Sequence, residues 1–339
     1  MSSAPQSPLA AEEITRDATW LAQAIDPTAG VVRFIAMNRD SYRAASFLDD
    51  RMMQQPVDAQ IVPWPEVEDA VAGNMRTDAR WIFHIGHVGS TLVSRLLGDL
   101  DGVLAIREPR LLRDLAMTPA EIRRSYIVAV PKLISRTFAE DEFACVKATS
   151  FASEIAPELV PEGERALFMY ATPRNYVASI LAGENSVKEL HALAAHRHER
   201  LTKRGIALPG ARNDADRAAA AWACEMTTLE EASERMADCS IAWADFDSML
   251  GNMAGELGRV ADHFGFEAPA GLVEAIVSGP LMRRYSKDPN YEYTPKLRQD
   301  VIDQELRRQG RDIEGALAML RAASEKSPLL ARALCRAEG

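Results

Sequence analysis

Apolar residues fall into two kinds of run along this chain. Five are short and unbroken: WIFHI (81–85), VLAI (103–106), EFACVKATS (142–150), ALFMYAT (166–172) and SIAWADF (240–246). Each is the length of a buried strand and is followed by helical or loop text. The others keep helical spacing, as in TLVSRLLGDL with Leu92, Leu96 and Leu97, in residues 214–238, and in MLGNMAGELGRVADHFGF, which ends at Gly265. Strands alternating with helices predict parallel crossover units, so an α/β fold of three layers around a central parallel sheet. Residues 1–78 read differently. EEITRDATWLAQAI predicts a helix over 12–25 closed by Asp26-Pro27 and Gly30. VVRFIAM, a polar helical stretch over 41–53 and Pro-rich loops follow it. The expectation is an N-terminal extension, 1–78, packed on a main domain of 79–339.

Composition narrows the classes of partner. The 339 residues carry 39 basic and 49 acidic side chains, a net charge of −10, which disfavours a nucleic-acid partner. The stretch from Pro280 onward runs against this trend, with 12 basic and 9 acidic residues, a local +3 that leaves −13 for the rest. None of the four cysteines forms a CxxC pair, which argues against a zinc ribbon or thioredoxin-type site and for a reducing compartment. The N-terminus has no apolar signal region, and no apolar run approaches the ~18 residues of a membrane span, so a cytoplasmic protein is expected. Oligomeric state is left open.

The first chemical signal is the turn after WIFHI. Gly86, His87, Val88, Gly89, Ser90 and Thr91 lie between a strand and a helix N-terminus, where unpaired amides and the helix dipole favour an anion. It is not a Walker A loop: Ser90 stands where that pattern needs Lys, and His84 where it needs the first Gly. Taken alone, it is equally a tight strand-to-helix connection.

The segment FHIGHVGSTLVSRLLGDLDGVLAIREPRLL resembles the 5′-phosphosulfate loop region of the sulfotransferases. Three more blocks follow in that family's order. YATPRNYVASIL resembles its 3′-phosphate strand and helix, the WACEM region its Trp-bearing helix, and AWADFDSMLGNMAGELGRVADHFGF its Tyr-Glu-Asp-Leu strand and the helix beyond. The resemblance spans residues 80–290 and implies a P-loop NTPase-like fold, the donor 3′-phosphoadenosine 5′-phosphosulfate (PAPS), no metal, and a hydroxyl or amine acceptor. A nucleotide-dependent phosphotransferase and a non-catalytic nucleotide-binding partner protein are the alternatives.

The resemblance also implies roles. His87 falls at the position of the family's loop cation; otherwise it caps the turn. Glu108, at the end of the VLAI strand, is the expected base, and Glu108-Pro109-Arg110 matches the Glu-x-Arg of tyrosylprotein-type enzymes, which brings Arg110 toward substrate. The other reading pairs Glu108 with Arg107, Arg110 or Arg113. Lys147 is a donor to the sulfuryl group or a snorkelling strand end. Ser179 fits the family's hydroxyl, but Ala171 stands where an Arg is expected, so Arg174 is the candidate cation for the 3′-phosphate. Arg283, Arg284 and Lys287 resemble the late basic loop over the nucleotide. His191 is a candidate substrate contact in a segment that also reads as a solvated helix. His196 and His198, two apart, cannot share a helix face as metal ligands.

Overall fold

The structure is a computed structural model that describes residues 9–54, 56–283 and 295–338. Its strands, in chain order, are β1 (Trp20–Asp26), β2 (Val31–Ala36), β3 (Ala59–Pro63), β4 (Arg80–His84), β5 (Val103–Arg107), β6 (Phe143–Lys147), β7 (Arg165–Tyr170) and β8 (Ser240–Asp245). The last five form one parallel sheet in the order β5-β6-β4-β7-β8. The chain moves from β4 to one side for β5 and β6, then crosses to the other for β7 and β8. With right-handed crossovers, that reversal puts successive helices on opposite faces. Both faces are covered, so Trp81, Ile82 and Phe83 are fully buried and the strands read as unbroken apolar text rather than as alternation. The reversal also opens a crevice at the carboxyl ends of β4 and its neighbours, where α/β proteins place ligands.

The N-terminal region departs from its reading. Only Ala11–Arg16 is helical, and the second half of the expected helix is β1. Asp26 accepts from the amides of Thr28 and Ala29, Gly30 takes φ +64°, and the chain turns back so that β1 pairs antiparallel with β2. Residues 20–25 are all buried, so β1 lacks the alternation that marks a half-exposed strand, and pairing overrides helical propensity. The polar stretch at 41–53 resolves into a helix, Arg39–Ala44, and a 3₁₀ turn, Asp50–Gln54. The apolar text at 246–265 is two helices, Phe246–Gly251 and Met253–Phe264, broken at Asn252, whose side chain caps the second.

Arg136 ties β1, an edge of the antiparallel sheet β1-β2-β3, to the helices Ala11–Arg16 and Val130–Ile134. Its buried guanidinium donates to the carbonyls of Leu133 (2.8 Å), Trp20 (2.7 Å) and Ile14. At the other end of the chain, the helix Pro295–Ser324 packs on the helices Pro173–Leu181 and Asp214–Arg235. No helix of the described residues is long and apolar enough to cross a membrane.

Arg136→Ala would strand three buried carbonyls where β1 meets these two helices. We expect it to lower unfolding free energy by about 2–4 kcal/mol in urea titrations, since each unmade buried bond costs roughly 1–3 kcal/mol. A change under about 0.5 kcal/mol would show that the junction does not depend on it.

Candidate active site

β4 ends at His84, and the next five residues turn into the helix Ser90–Leu97. Three of those five hold left-handed backbone: Gly86 (φ +81°), His87 (φ +56°) and Gly89 (φ +60°). A side chain at His87 in that region is sterically costly and needs support. His84 supplies some of it. Its Nδ1 accepts from the Gly86 amide (2.9 Å), and Nε2 lies 3.0 Å from the Ala148 carbonyl, so the bonds select the neutral ring with its proton on Nε2. Gly89 is required twice over, because a Cβ there would lie 1.9 Å from the Phe246 ring. The outcome is a tight left-handed loop ahead of a helix N-terminus, with Ser90 and Thr91 opening the helix.

Among the described residues, only His87 and Glu108 are non-glycines with positive φ, and both were singled out by the sequence. Glu108 (φ +51°) follows β5 directly, and its amide donates to the Lys147 carbonyl (2.7 Å), extending the β5–β6 ladder by one step. That step turns its carboxylate onto the Lys147 ammonium, which is almost wholly buried. His84 Nε2 lies 3.9 Å from the same carboxylate. Glu108 therefore pairs with Lys147 rather than with a neighbouring Arg. The Phe47 ring covers the ammonium at 5.7 Å and carries the Arg51 guanidinium on its other contact at 3.5 Å.

Across the loop sits a residue that the sequence reading missed. Arg298, near the start of the 30-residue Pro295–Ser324 helix, is 9% exposed and donates to Asp247 (2.7 Å). Its Nη1 lies 3.4 Å from both the Ser179 hydroxyl and the His87 carbonyl. Its Nη2 is buried with no hydrogen-bond partner among the described residues. The charge excess beyond Pro280 was the one sequence signal that pointed to this region.

These groups line one cavity of about 560 Å³, and Phe47, Phe151 and Leu193 add apolar surface to its lining. Gly86, His87, Val88, Gly89, Ser90, Thr91, Glu108, Lys147 and Ser179 all reach it. Three of the expected residues do not. Arg174 is five positions before Ser179 on one helix, roughly 140° around it, and pairs with Glu314 at 2.5 Å on the surface. Arg110 is held by Asp50 (2.7 Å) and Asp114 (3.1 Å). His191 turns away to Asp214 (2.8 Å), although its neighbours Glu189, Ala192 and Leu193 line the wall. The Arg283 side chain, Arg284 and Lys287 lie outside the described residues. Ala171 is buried, and its carbonyl accepts from the Trp222 indole (2.9 Å), so this position serves packing. No group of three or more potential metal ligands occurs among the described residues.

No family model and no curated protein matches the chain. The solved structures it is similar to include sulfotransferase domains. One is the sulfotransferase domain from the curacin biosynthetic pathway, at 12% identity and TM-score 0.41, covering 68% of this chain and 91% of that one. Another, from the Synechococcus PCC 7002 olefin synthase, has 11% identity and TM-score 0.37, covering 68% and 98%. Mouse sulfotransferase SULT7A1, complexed with PAP, has 9% identity and TM-score 0.36, covering 78% and 90%.

Gly89→Ala and Gly163→Ala separate strain from clash. Gly163 also has positive φ (+83°), but a Cβ there meets nothing within 4 Å. Gly89→Ala is expected to cost about 1–3 kcal/mol more than Gly163→Ala in chemical denaturation, the usual cost of overpacking. Equal costs would mean that Phe246 yields freely.

Proposed function

We propose that the cavity binds PAPS and that the protein transfers its sulfuryl group to a hydroxyl or amine. The observation that carries this reading is the buried Nη2 of Arg298, which has no partner among the described residues, beside Ser179 and next to the Gly86–Thr91 loop. Two anion-binding positions in one cavity suit a nucleotide with phosphates on two arms of its ribose. The loop amides, Ser90 and Thr91 would hold the 5′ arm, and Arg298 with Ser179 the 3′-phosphate. Arg298 thus takes the place that the sequence reading gave to Arg174, and it answers the missing Arg at 171 from a distant helix.

The bound donor supplies an activated sulfuryl group whose bridging oxygen becomes a phosphate oxygen as the acceptor attacks. The chain's own residues meet the demands of that exchange. Glu108 accepts the acceptor's proton, held at the strand end by Lys147. Loop amides, the hydroxyls and the helix dipole stabilise charge where the leaving group forms, and His87 reaches the same cavity. Phe47, Phe151 and Leu193 give the acceptor an apolar approach that limits water.

Two measurements test this. In calorimetric titrations, adenosine 3′,5′-bisphosphate is expected to bind the wild type and Arg174→Ala alike, and to bind Arg298→Ala roughly ten- to a hundred-fold more weakly, the loss of one or two charge-assisted bonds. Binding of ATP with Mg²⁺ in its place would favour the phosphotransferase. Unchanged binding by Arg298→Ala would refute the assignment of the 3′ site. In acceptor screens, Glu108→Gln is expected to retain bisphosphate affinity while turnover falls about 10²–10⁴-fold. Full turnover by that variant would remove Glu108 as base.

A further inference from the structure

A second cavity, of about 350 Å³, shares Phe151 with the first, and the same stretches of chain build both. The 3₁₀ turn Ser150–Ile155 gives Ser150 to the first cavity and Glu154 and Ile155 to the second. The helix Glu184–Ala192 gives Glu189 and Ala192 to the first, and the next helix, Ala194–Lys203, gives His196, Arg200 and Lys203 to the second. The His196 ring stands 6.0 Å from the Phe151 ring, centre to centre.

The second lining holds five Lys or Arg side chains and three carboxylates. All three carboxylates are engaged. Glu158 accepts from Arg123 (2.7 and 3.0 Å), Glu154 from Arg200 and from Arg204 (2.6 Å), and Glu231 from Arg204 (2.8 Å). Glu225, behind Arg200, accepts from that guanidinium at 3.0 and 3.1 Å. The cations keep spare capacity. The Arg204 side chain is 6% exposed, and its Nη1 is buried with no hydrogen-bond partner among the described residues. Arg235 is exposed and forms no ion pair with a described residue. Lys203 has one surface pair, with Glu199 at 2.8 Å, of a kind that is worth little in water. Ala116, Met117 and Ile155 add apolar lining between these charges and Phe151 supplies more.

We propose that the second cavity holds an anionic group of the acceptor, between Arg204 and Arg235. The acceptor is then an amphiphile, with its hydroxyl or amine near Glu108, an apolar stretch passing Phe151, and the anion beyond it. This assignment rests on reading the first cavity as the PAPS site. It gives the Phe151 ring a part in selecting the substrate, and it places the charge of the acceptor away from the anionic donor.

The test is calorimetric titration of 6-hydroxyhexanoate, 10-hydroxydecanoate and 12-hydroxydodecanoate, each beside its neutral amide, with and without adenosine 3′,5′-bisphosphate. The proteins are the wild type, Arg204→Gln, Arg235→Gln and Arg298→Gln, with circular dichroism confirming that each is folded. The wild type is expected to bind at least one carboxylate roughly tenfold more tightly than its amide, and to lose that preference in Arg204→Gln and Arg235→Gln but not in Arg298→Gln. Arg235 is exposed, so its variant decides the matter if Arg204→Gln does not fold. No carboxylate preference in the wild type, or a preference that survives Arg235→Gln, would overturn the proposal. Loss in Arg298→Gln alone would overturn it too, by placing the carboxylate in the first cavity. Failure of the bisphosphate to bind would instead remove the donor reading, and the titrations without nucleotide would still decide whether the second cavity takes an anion.

Discussion

The site depends on one ion pair between the ends of two adjacent strands. Lys147 closes β6, and Glu108 stands one residue beyond β5, where Arg107 is in register with Lys147. Neither charge is well hydrated, so each needs the other, and removing one partner of such a buried pair typically costs about 3–5 kcal/mol. That need accounts for features that look unrelated. The positive φ of Glu108 aims its carboxylate back along the ladder instead of into solvent. Phe47 covers the ammonium, and this gives the N-terminal region a reason to lie across the sheet edge. His84 stands near the same carboxylate while it shapes the loop.

Around that pair the chain collects positive charge from distant segments. The loop amides come from the turn after β4, Arg51 from the N-terminal region and Arg298 from the C-terminal helices. In a protein whose net charge is −10, these positive groups meet in one cavity. A net charge of that sign disfavours long-range steering of an anion toward the cavity, so any anion bound there would be held by short-range bonds.

The five parallel strands were legible because strands buried on both faces are written as apolar runs; four ended within two residues of the end of the run, and β6 stopped three short of it, at Lys147. β1 was hidden for the same reason: its buried residues, mixed with Ala and Gln, carry no alternation and resemble helix. Among site residues, those on one continuous segment, Gly86 to Thr91, could be read from local chemistry, as could Glu108 from its place after a strand. Arg174 could not be excluded from sequence, because only the helix phase shows it facing Glu314. Arg298 could not be found, since no local pattern records that a residue 119 positions away meets Ser179.

The position of Arg298 in the chain has a consequence for how the molecule is made. β8 ends at Asp245, and Arg298 follows 53 residues later. At ~5–20 residues per second, a ribosome adds that stretch in about 3–10 s. During that interval all five parallel strands have been synthesised, and the loop and Glu108 with them, but the guanidinium beside Ser179 has not. A nascent chain halted there would have the loop and the Glu108–Lys147 pair without the guanidinium opposite them, so the last long helix completes the lining of the cavity.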